Sequence, residues 1–268
     1  DNWTTYELSE ISLGDKRLNW RLLDSAAKLA AKPSASINQA CDDWADTKAT
    51  YRLFANEKTT MKQILAPHQQ RTKERMTGHK YILAIQDSSY LDYTHHPSKR
   101  GLGPIGTSKQ TLRGLVMHSV LAVTTQGLPL GIVAQSIWAR DESVKQMNST
   151  ERRKVPIAEK ESNKWLSALD ETVQWQPEGT QLVSVGDSEA DIFELFNHAR
   201  KLESDLLIRA GQDRALCEPE VGLLWDVLEK QPIAGPLKVQ VSKRDAQPAR
   251  EAMVALRYTS LVLRPPQH

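Results

Sequence analysis

Tyr81-Ile82-Leu83-Ala84-Ile85-Gln86 is a short apolar run, and it marks the point where the chain changes period. A run of this length and composition reads as a buried strand. Two further runs follow, Leu115 to Thr124 and Leu130 to Trp138, separated by Gln126-Gly127-Leu128-Pro129, a hairpin-like break. A helix then spans roughly Ala158 to Trp175. Gln181-Leu182-Val183-Ser184-Val185 is another buried strand, and it ends at Gly186-Asp187. A helix from Ser188 to Lys201 comes next, then a strand from Asp205 to Arg209.

The predicted order is β-β-β-α-β-α-β, which implies an α/β fold with a mixed sheet and helices packed on it. This is the order of an RNase H-like domain, in which the first and fourth strands lie side by side and parallel. Outward from that core, residues 1–75 read as a small helical domain. Asp15 is the predicted N-cap of a helix from Lys16 to Ala31, and Pro33 ends the pattern. Further helices are expected over Ile37 to Trp44, from near Asp46 through Tyr51-Arg52-Leu53-Phe54, and from about Thr60 into the seventies. The α/β core is placed at 76–211. Residues 212–268 are less regular, with a helix over Val221 to Lys230 and strands over Leu237 to Ser242 and Ala252 to Leu263.

Composition sets the class. Of 268 residues 40% are hydrophobic and 25% charged, the profile of a globular chain. No apolar run approaches the roughly 20 residues of a membrane helix. No signal peptide is visible and there are only two cysteines, Cys41 and Cys217. The expected setting is therefore cytoplasmic, away from membranes. Net charge is +2, so any affinity for nucleic acid has to be read locally.

The sharpest chemical feature is a pair of carboxylates at predicted strand ends, Asp87 and Asp187. On parallel neighbours they emerge at the same carboxyl edge of the sheet, where open α/β sheets hold ligands. Close carboxylates repel, and a divalent cation relieves this. Paired Mg²⁺ ions suit phosphodiester cleavage, one activating water or a 3′ hydroxyl and the other steadying the leaving oxygen. The same residues also fit a plainer role. Asp187 or Ser188 can cap the following helix, with Asp191 completing a capping-box-like pattern, and Asp87 can serve as a turn residue.

A second feature is basic. On the Lys16–Ala31 helix, Arg17, Arg21, Lys28 and Lys32 fall within an arc of about 60°. Leu18, Leu22, Ala26, Leu29 and Ala30 occupy a neighbouring face. Asp24 is the one acid between Lys16 and Lys32. Such a stripe can track a phosphate backbone, or simply solvate a helix face. Tyr51 and Arg52 are secondary candidates, Tyr51 equally as a core residue. Gly101-Leu102-Gly103-Pro104-Ile105-Gly106 lacks the strand-to-helix setting of a dinucleotide site. It reads as a loop that Lys99, Arg100 and Lys109 could bring to DNA. His118 lies inside a strand-like run without metal-ligand spacing and reads as structural. Lys160 and Lys164, one turn apart, could approach phosphate; Glu161 and Lys164 could equally be a surface pair.

Several segments resemble the Tn-five branch of the IS-four insertion-sequence transposases. They are Gly14-Asp15-Lys16-Arg17, Thr50-Tyr51-Arg52-Leu53-Phe54, Ala84-Ile85-Gln86-Asp87-Ser88-Ser89, Glu159-Lys160-Glu161-Ser162-Asn163-Lys164-Trp165-Leu166, Val185-Gly186-Asp187-Ser188-Glu189-Ala190-Asp191-Ile192 and Leu207-Ile208-Arg209-Ala210. The resemblance implies a cut-and-paste DNA transposase, with Asp87 and Asp187 as the first two metal ligands of a DDE triad for Mg²⁺ or Mn²⁺. It implies Arg209 facing DNA phosphate, a transposon-end-binding domain at 1–75, terminal-repeat DNA as partner and a homodimer. In that family the third ligand is a Glu in a Tyr-x-x-Arg-x-x-x-Glu helix beyond a β-rich insertion, and no segment here fits that pattern. The sequence expectation is therefore a chain truncated within the insertion at 212–268. The alternative is a catalytically incomplete DNA-binding fragment or regulator.

Overall fold

A computed structural model of the chain describes residues 3–106, 111–142, 155–218, 222–244 and 247–266. It divides into two compact units, Asp1–Ala190 with Glu194–Ile208, and Asp191–Phe193 with Arg209–His268.

In the first unit five helices precede the sheet: α1 (Trp3–Glu7), α2 (Lys16–Ala31), α3 (Ile37–Ala40), α4 (Trp44–Phe54) and α5 (Met61–Met76). Asp15 caps α2 as expected, its carboxylate accepting from the Arg17 N–H. The second and third helices are bounded differently from the sequence reading. Asp43 accepts from the Asp46 N–H and starts α4 at Trp44, so α3 stops at Ala40. Ile11, Leu13, Leu22 and Leu53 form a small core among these helices.

No unit boundary falls at residue 75, where the sequence suggested one, because α5 belongs to both layers. Gln69 donates to the Val133 carbonyl at 2.7 Å and Arg75 to the Leu130 carbonyl at 2.6 Å. Arg75 also grips Glu7 through both guanidinium nitrogens. Gly131 permits this approach, since a Cβ there would lie 2.1 Å from the Thr72 hydroxyl.

The sheet contains β1 (Tyr81–Asp92), a two-residue β2 (Gly103–Pro104), β3 (Arg113–Thr124), β4 (Pro129–Trp138), β5 (Gln181–Gly186) and β6 (Asp205–Ile208). Its long strands run β4-β3-β1-β5-β6. β1 is antiparallel to β3 and parallel to β5, and β6 is parallel to β5. The side-by-side parallel pairing expected of the first and fourth predicted strands is present as β1 and β5. The presumed loop at 101–106 contributes β2, which pairs with Arg113 and Gly114 of β3.

Alternation along the strands separates two faces. Ile82 and Ala84 of β1, Val120 and Ala122 of β3, and Leu182 of β5 point to one side. There they pack with Met76 of α5 and Ala168 of α6 (Asn163–Gln174). The opposite face is partly open: Tyr81, Ile85 and Leu207 are exposed.

Three corrections apply to this unit. The helix expected from Ala158 begins as a 3-10 turn at Ile157–Glu159, and α6 starts only at Asn163. The helix expected from Ser188 is a 3-10 turn at Ser188–Ala190 followed by α7 (Phe193–Lys201). Asp87 does not end its strand, because β1 continues to Asp92 through antiparallel pairing with β3.

In the second unit Asp191 explains the break before α7. Its carboxylate is buried and accepts from the Gly211 and Gln212 N–H groups and from the Arg214 guanidinium, so it is not a capping-box residue. This unit also holds α8 (Leu224–Lys230) and a ribbon of β7 (Gly235–Val241) with β8 (Arg250–Leu256), the second strand ending earlier than expected.

Candidate functional site

β1 and β5 are in register from Tyr81 opposite Gln181 to Ile85 opposite Val185. Continued by two residues, the same register would set Asp87 opposite Asp187. Adjacent strands are about 4.8 Å apart, and the paired rows stop two residues before Asp87 and Asp187, at the same carboxyl edge of the sheet. At this row the two strands part: β5 ends at Gly186, and β1 goes on with β3 alone. Gly186 is required at the divergence. A Cβ there would lie 2.6 Å from Ala190 Cβ and 3.2 Å from both Trp165 and Ile208.

Both acids are exposed; Asp187 also does the local work the plainer reading assigned it, whereas Asp87 lies within β1 and is not a turn residue. Asp187 accepts from the Glu189 N–H at 2.9 Å, and Asp87 from the Ser88 N–H at 2.7 Å. Each keeps a carboxylate oxygen outside these contacts. The hard, anionic donors fit two positions of a Mg²⁺ or Mn²⁺ site. Among the described residues no cluster of three His, Cys, Asp or Glu side chains forms a closed metal cage.

Beneath this edge lies a polar cluster for which the sequence offered only fragments. His118, 1% exposed, packs edge-to-face on Trp165 with ring centroids 4.8 Å apart. Burial, reinforced by the Lys164 charge and opposed by Asp87, pushes its pKa down to about 4. The Lys164 ammonium is nearly buried and lies 3.3 Å from Glu189 and 3.9 Å from Glu161. The pairing with Glu161 is one of the two readings the spacing allowed. Arg140 clasps Glu161 by two 2.6 Å hydrogen bonds and donates to the Tyr90 hydroxyl at 3.0 Å. A remote arginine as the partner of Glu161 has no signal in the local sequence.

The basic stripe on α2 is reorganised by tertiary contacts. Arg21 donates to Asp46 at 2.7 Å and to Asp24 at 3.2 Å. Lys28 meets Asp24, Asp42 and Asp46. Asp46 first among these acids holds the Lys28 pKa above its usual value. The stripe therefore does have acids among it, supplied by α4 and the turn before it, which a wheel of α2 alone cannot reveal. Lys32 donates to the Gln39 and Ala40 carbonyls. Lys16 and Arg17 are exposed and have no ion pair among the described residues.

A second face emerges on α4. Thr47, Thr50 and Leu53 are buried, so Trp44, Lys48, Tyr51 and Arg52 occupy an outward arc of about 100°. All four are exposed, Trp44 at 71% and Tyr51 at 51%, which excludes the core alternative for Tyr51. Lys99 stands over the Tyr93 ring at 5.1 Å, and Arg100 is exposed. Lys109 lies outside the described residues. Arg209 is exposed and follows β6, but it belongs to the second unit.

Residues 1–59 match the family model described as transposase DNA-binding. That segment contains α1 to α4 and both basic faces. Solved structures match as well, among them the following two. The "Mos1 transposase paired-end complex with left transposon end" has 10% identity and a TM-score of 0.27, over 70% of this chain and 58% of that one. The "Crystal structure of the Mos1 Strand Transfer Complex" has 8% identity and a TM-score of 0.26, over 70% of this chain and 57% of that one. The chain thus spans less than two thirds of those chains' length. Scores of this size leave the fold assignment to the strand register itself. Among the described residues no helix is long and apolar enough to cross a membrane.

Proposed function

We propose that the chain is the DNA-end-binding and partial catalytic portion of a cut-and-paste DNA transposase, built on an RNase H-like sheet of the DDE kind in the Tn-five branch of the IS-four family. The observation that supports the catalytic half is the parallel β1–β5 register, which runs to Ile85 opposite Val185, two residues short of Asp87 and Asp187. The match at residues 1–59 supports the DNA-binding half.

In this reading Asp87 and Asp187 would hold Mg²⁺ or Mn²⁺. The cation would supply the positive charge that favours attack of water or a 3′ hydroxyl on a phosphodiester. The chain's own residues supply the frame. Gly186 lets Asp187 turn off β5 beside Asp87, and the Glu189 N–H orients its carboxylate. Trp44, Lys48, Tyr51 and Arg52 form the face offered to the duplex, with Lys16, Arg17 and Lys32 on α2 available to phosphates. Arg21 and Lys28 contribute less than the sequence suggested, since acids already neutralise them. Lys99, Arg100 and Arg209 are further phosphate contacts implied by the family, the partner is terminal-repeat DNA, and the assembled enzyme is a homodimer.

The test is selection from a randomised duplex pool, followed by nicking of the enriched sequence with Mg²⁺ or Mn²⁺ by the wild type and Asp187→Ala. Enrichment of one sequence is the expected result, and Asp187-dependent nicking would add the catalytic half to it. Enrichment without nicking assigns the chain to end binding alone. Failure to enrich any sequence sinks the DNA-end reading, and nicking that survives the substitution removes the metal-ligand assignment.

A further inference from the structure

A buried hydrogen-bonded chain crosses the covered face of the sheet and ends beside Asp87. Gln86 Nε2 donates to Ser184 Oγ at 2.6 Å. That leaves Gln86 Oε1, which can only accept, facing His118 Nε2 at 3.2 Å. The Nε2 nitrogen of His118 must therefore carry the proton. In the neutral ring Nδ1 is then an acceptor, and it lies 2.9 Å from Ser88 Oγ, which donates to it. Gln86, Ser184 and His118 are each at most 3% exposed.

Ser88 is directly opposite His118 in the β1–β3 ladder, and Asp87 is opposite Ser119. Their position gives the chain a purpose beyond satisfying buried polar atoms. From Asp87 onward β1 has lost β5 and is held on one side only. Ser88 answers on both counts at this point. Its N–H goes to the Asp87 carboxylate, and its hydroxyl is tied through His118 and Gln86 to Ser184 on β5. The chain thus reconnects the two strands by side chains at the level where their backbones separate.

We propose that His118 is a positioning residue for Asp87, using its unprotonated Nδ1 to hold Ser88 and so the Asp87 carboxylate that the Ser88 N–H engages. The inference rests on Asp87 and Asp187 being metal ligands. It adds that the geometry of the pair is set by an imidazole on the opposite face of the sheet, which touches neither the cation nor DNA.

The experiment titrates Mn²⁺ alone into the 268-residue chain by calorimetry, with near-ultraviolet circular dichroism and thermal unfolding to verify the fold of each variant. Losing a partner behind a metal ligand commonly weakens affinity by about 10- to 100-fold, and His118→Ala is expected to fall in that range. His118→Asn keeps an acceptor near the Nδ1 position and is expected to restore wild-type affinity. His118→Gln keeps a donor near the Nε2 position for Gln86 but offers Ser88 no acceptor, so it is expected to stay weak. The opposite order, rescue by Gln and failure of Asn, would overturn the proposal in favour of a purely core-filling imidazole. Wild-type affinity in a folded His118→Ala chain would also overturn it. If the wild type binds no Mn²⁺, or binds it unchanged after Asp87→Ala and Asp187→Ala, the ligand reading itself fails and takes the positioning role with it.

Discussion

Acid should destabilise this protein through one imidazole by an amount that the structure sets. His118 is neutral in the fold, with its pKa pushed by burial from 6.5 to about 4. In the unfolded chain it regains its ordinary value. As pH falls through 6.5 the unfolded state takes up a proton that the folded state refuses until about pH 4. The unfolded state is thereby favoured across that window, and the contribution is flat above and below it. Between pH 8 and pH 5 the linkage amounts to about 2 kcal/mol, approaching about 3 kcal/mol below pH 4. With the ring 1% exposed, solvent screening takes little from this figure. Carboxylates that are salt-bridged in the fold also lose stability in acid, so the assay compares the wild type with His118→Gln, which retains them. Urea unfolding followed by tryptophan fluorescence at pH 8 and pH 5 should show the wild type losing about 2 kcal/mol more than the variant. Equal losses would refute the assignment of a neutral, desolvated His118.

Asp191→Ala leaves Arg214 and two N–H groups without their buried acceptor. It should cost about 3–5 kcal/mol, read as lost amide-exchange protection at Gly211 and Gln212. Asp24→Ala combined with Asp46→Ala removes both acids that Arg21 and Lys28 share, leaving only the exposed Asp42 beside Lys28, and the salt dependence of duplex binding should steepen by up to about two phosphate contacts. An unchanged slope would mean that these two residues do not reach DNA. Arg52→Ala and Lys48→Ala should each reduce that slope by about one contact, measured by fluorescence anisotropy, while leaving the unfolding midpoint near the wild-type value because both side chains are exposed.

The period of the apolar residues was enough to locate the five long strands and most of the helices, because alternation and length reflect burial on a sheet or helix face. It also located Asp187 at a strand end and Asp15 as a cap, since these are local matters of backbone geometry. It could not say that β1 runs on to Asp92, because that extension depends on a partner strand more than twenty residues away. Nor could it say that the Lys16–Ala31 stripe is half neutralised, because Asp42 and Asp46 come from the chain after α3.

Sequence by itself determined which residues want to be strand, helix or cap, and which carry charge. Tertiary structure alone decided which of them meet. Ile85 and Val185 are one hundred residues apart in sequence, and the parallel register sets them side by side, two residues before Asp87 and Asp187. The same packing joined Gln86, His118, Ser88 and Ser184 into one chain, and drew Asp191 away from the helix it seemed to cap. The physical reason is that hydrogen bonds and ion pairs act over a few ångströms of space. Distance along the chain is converted into distance in space only when the sheet closes.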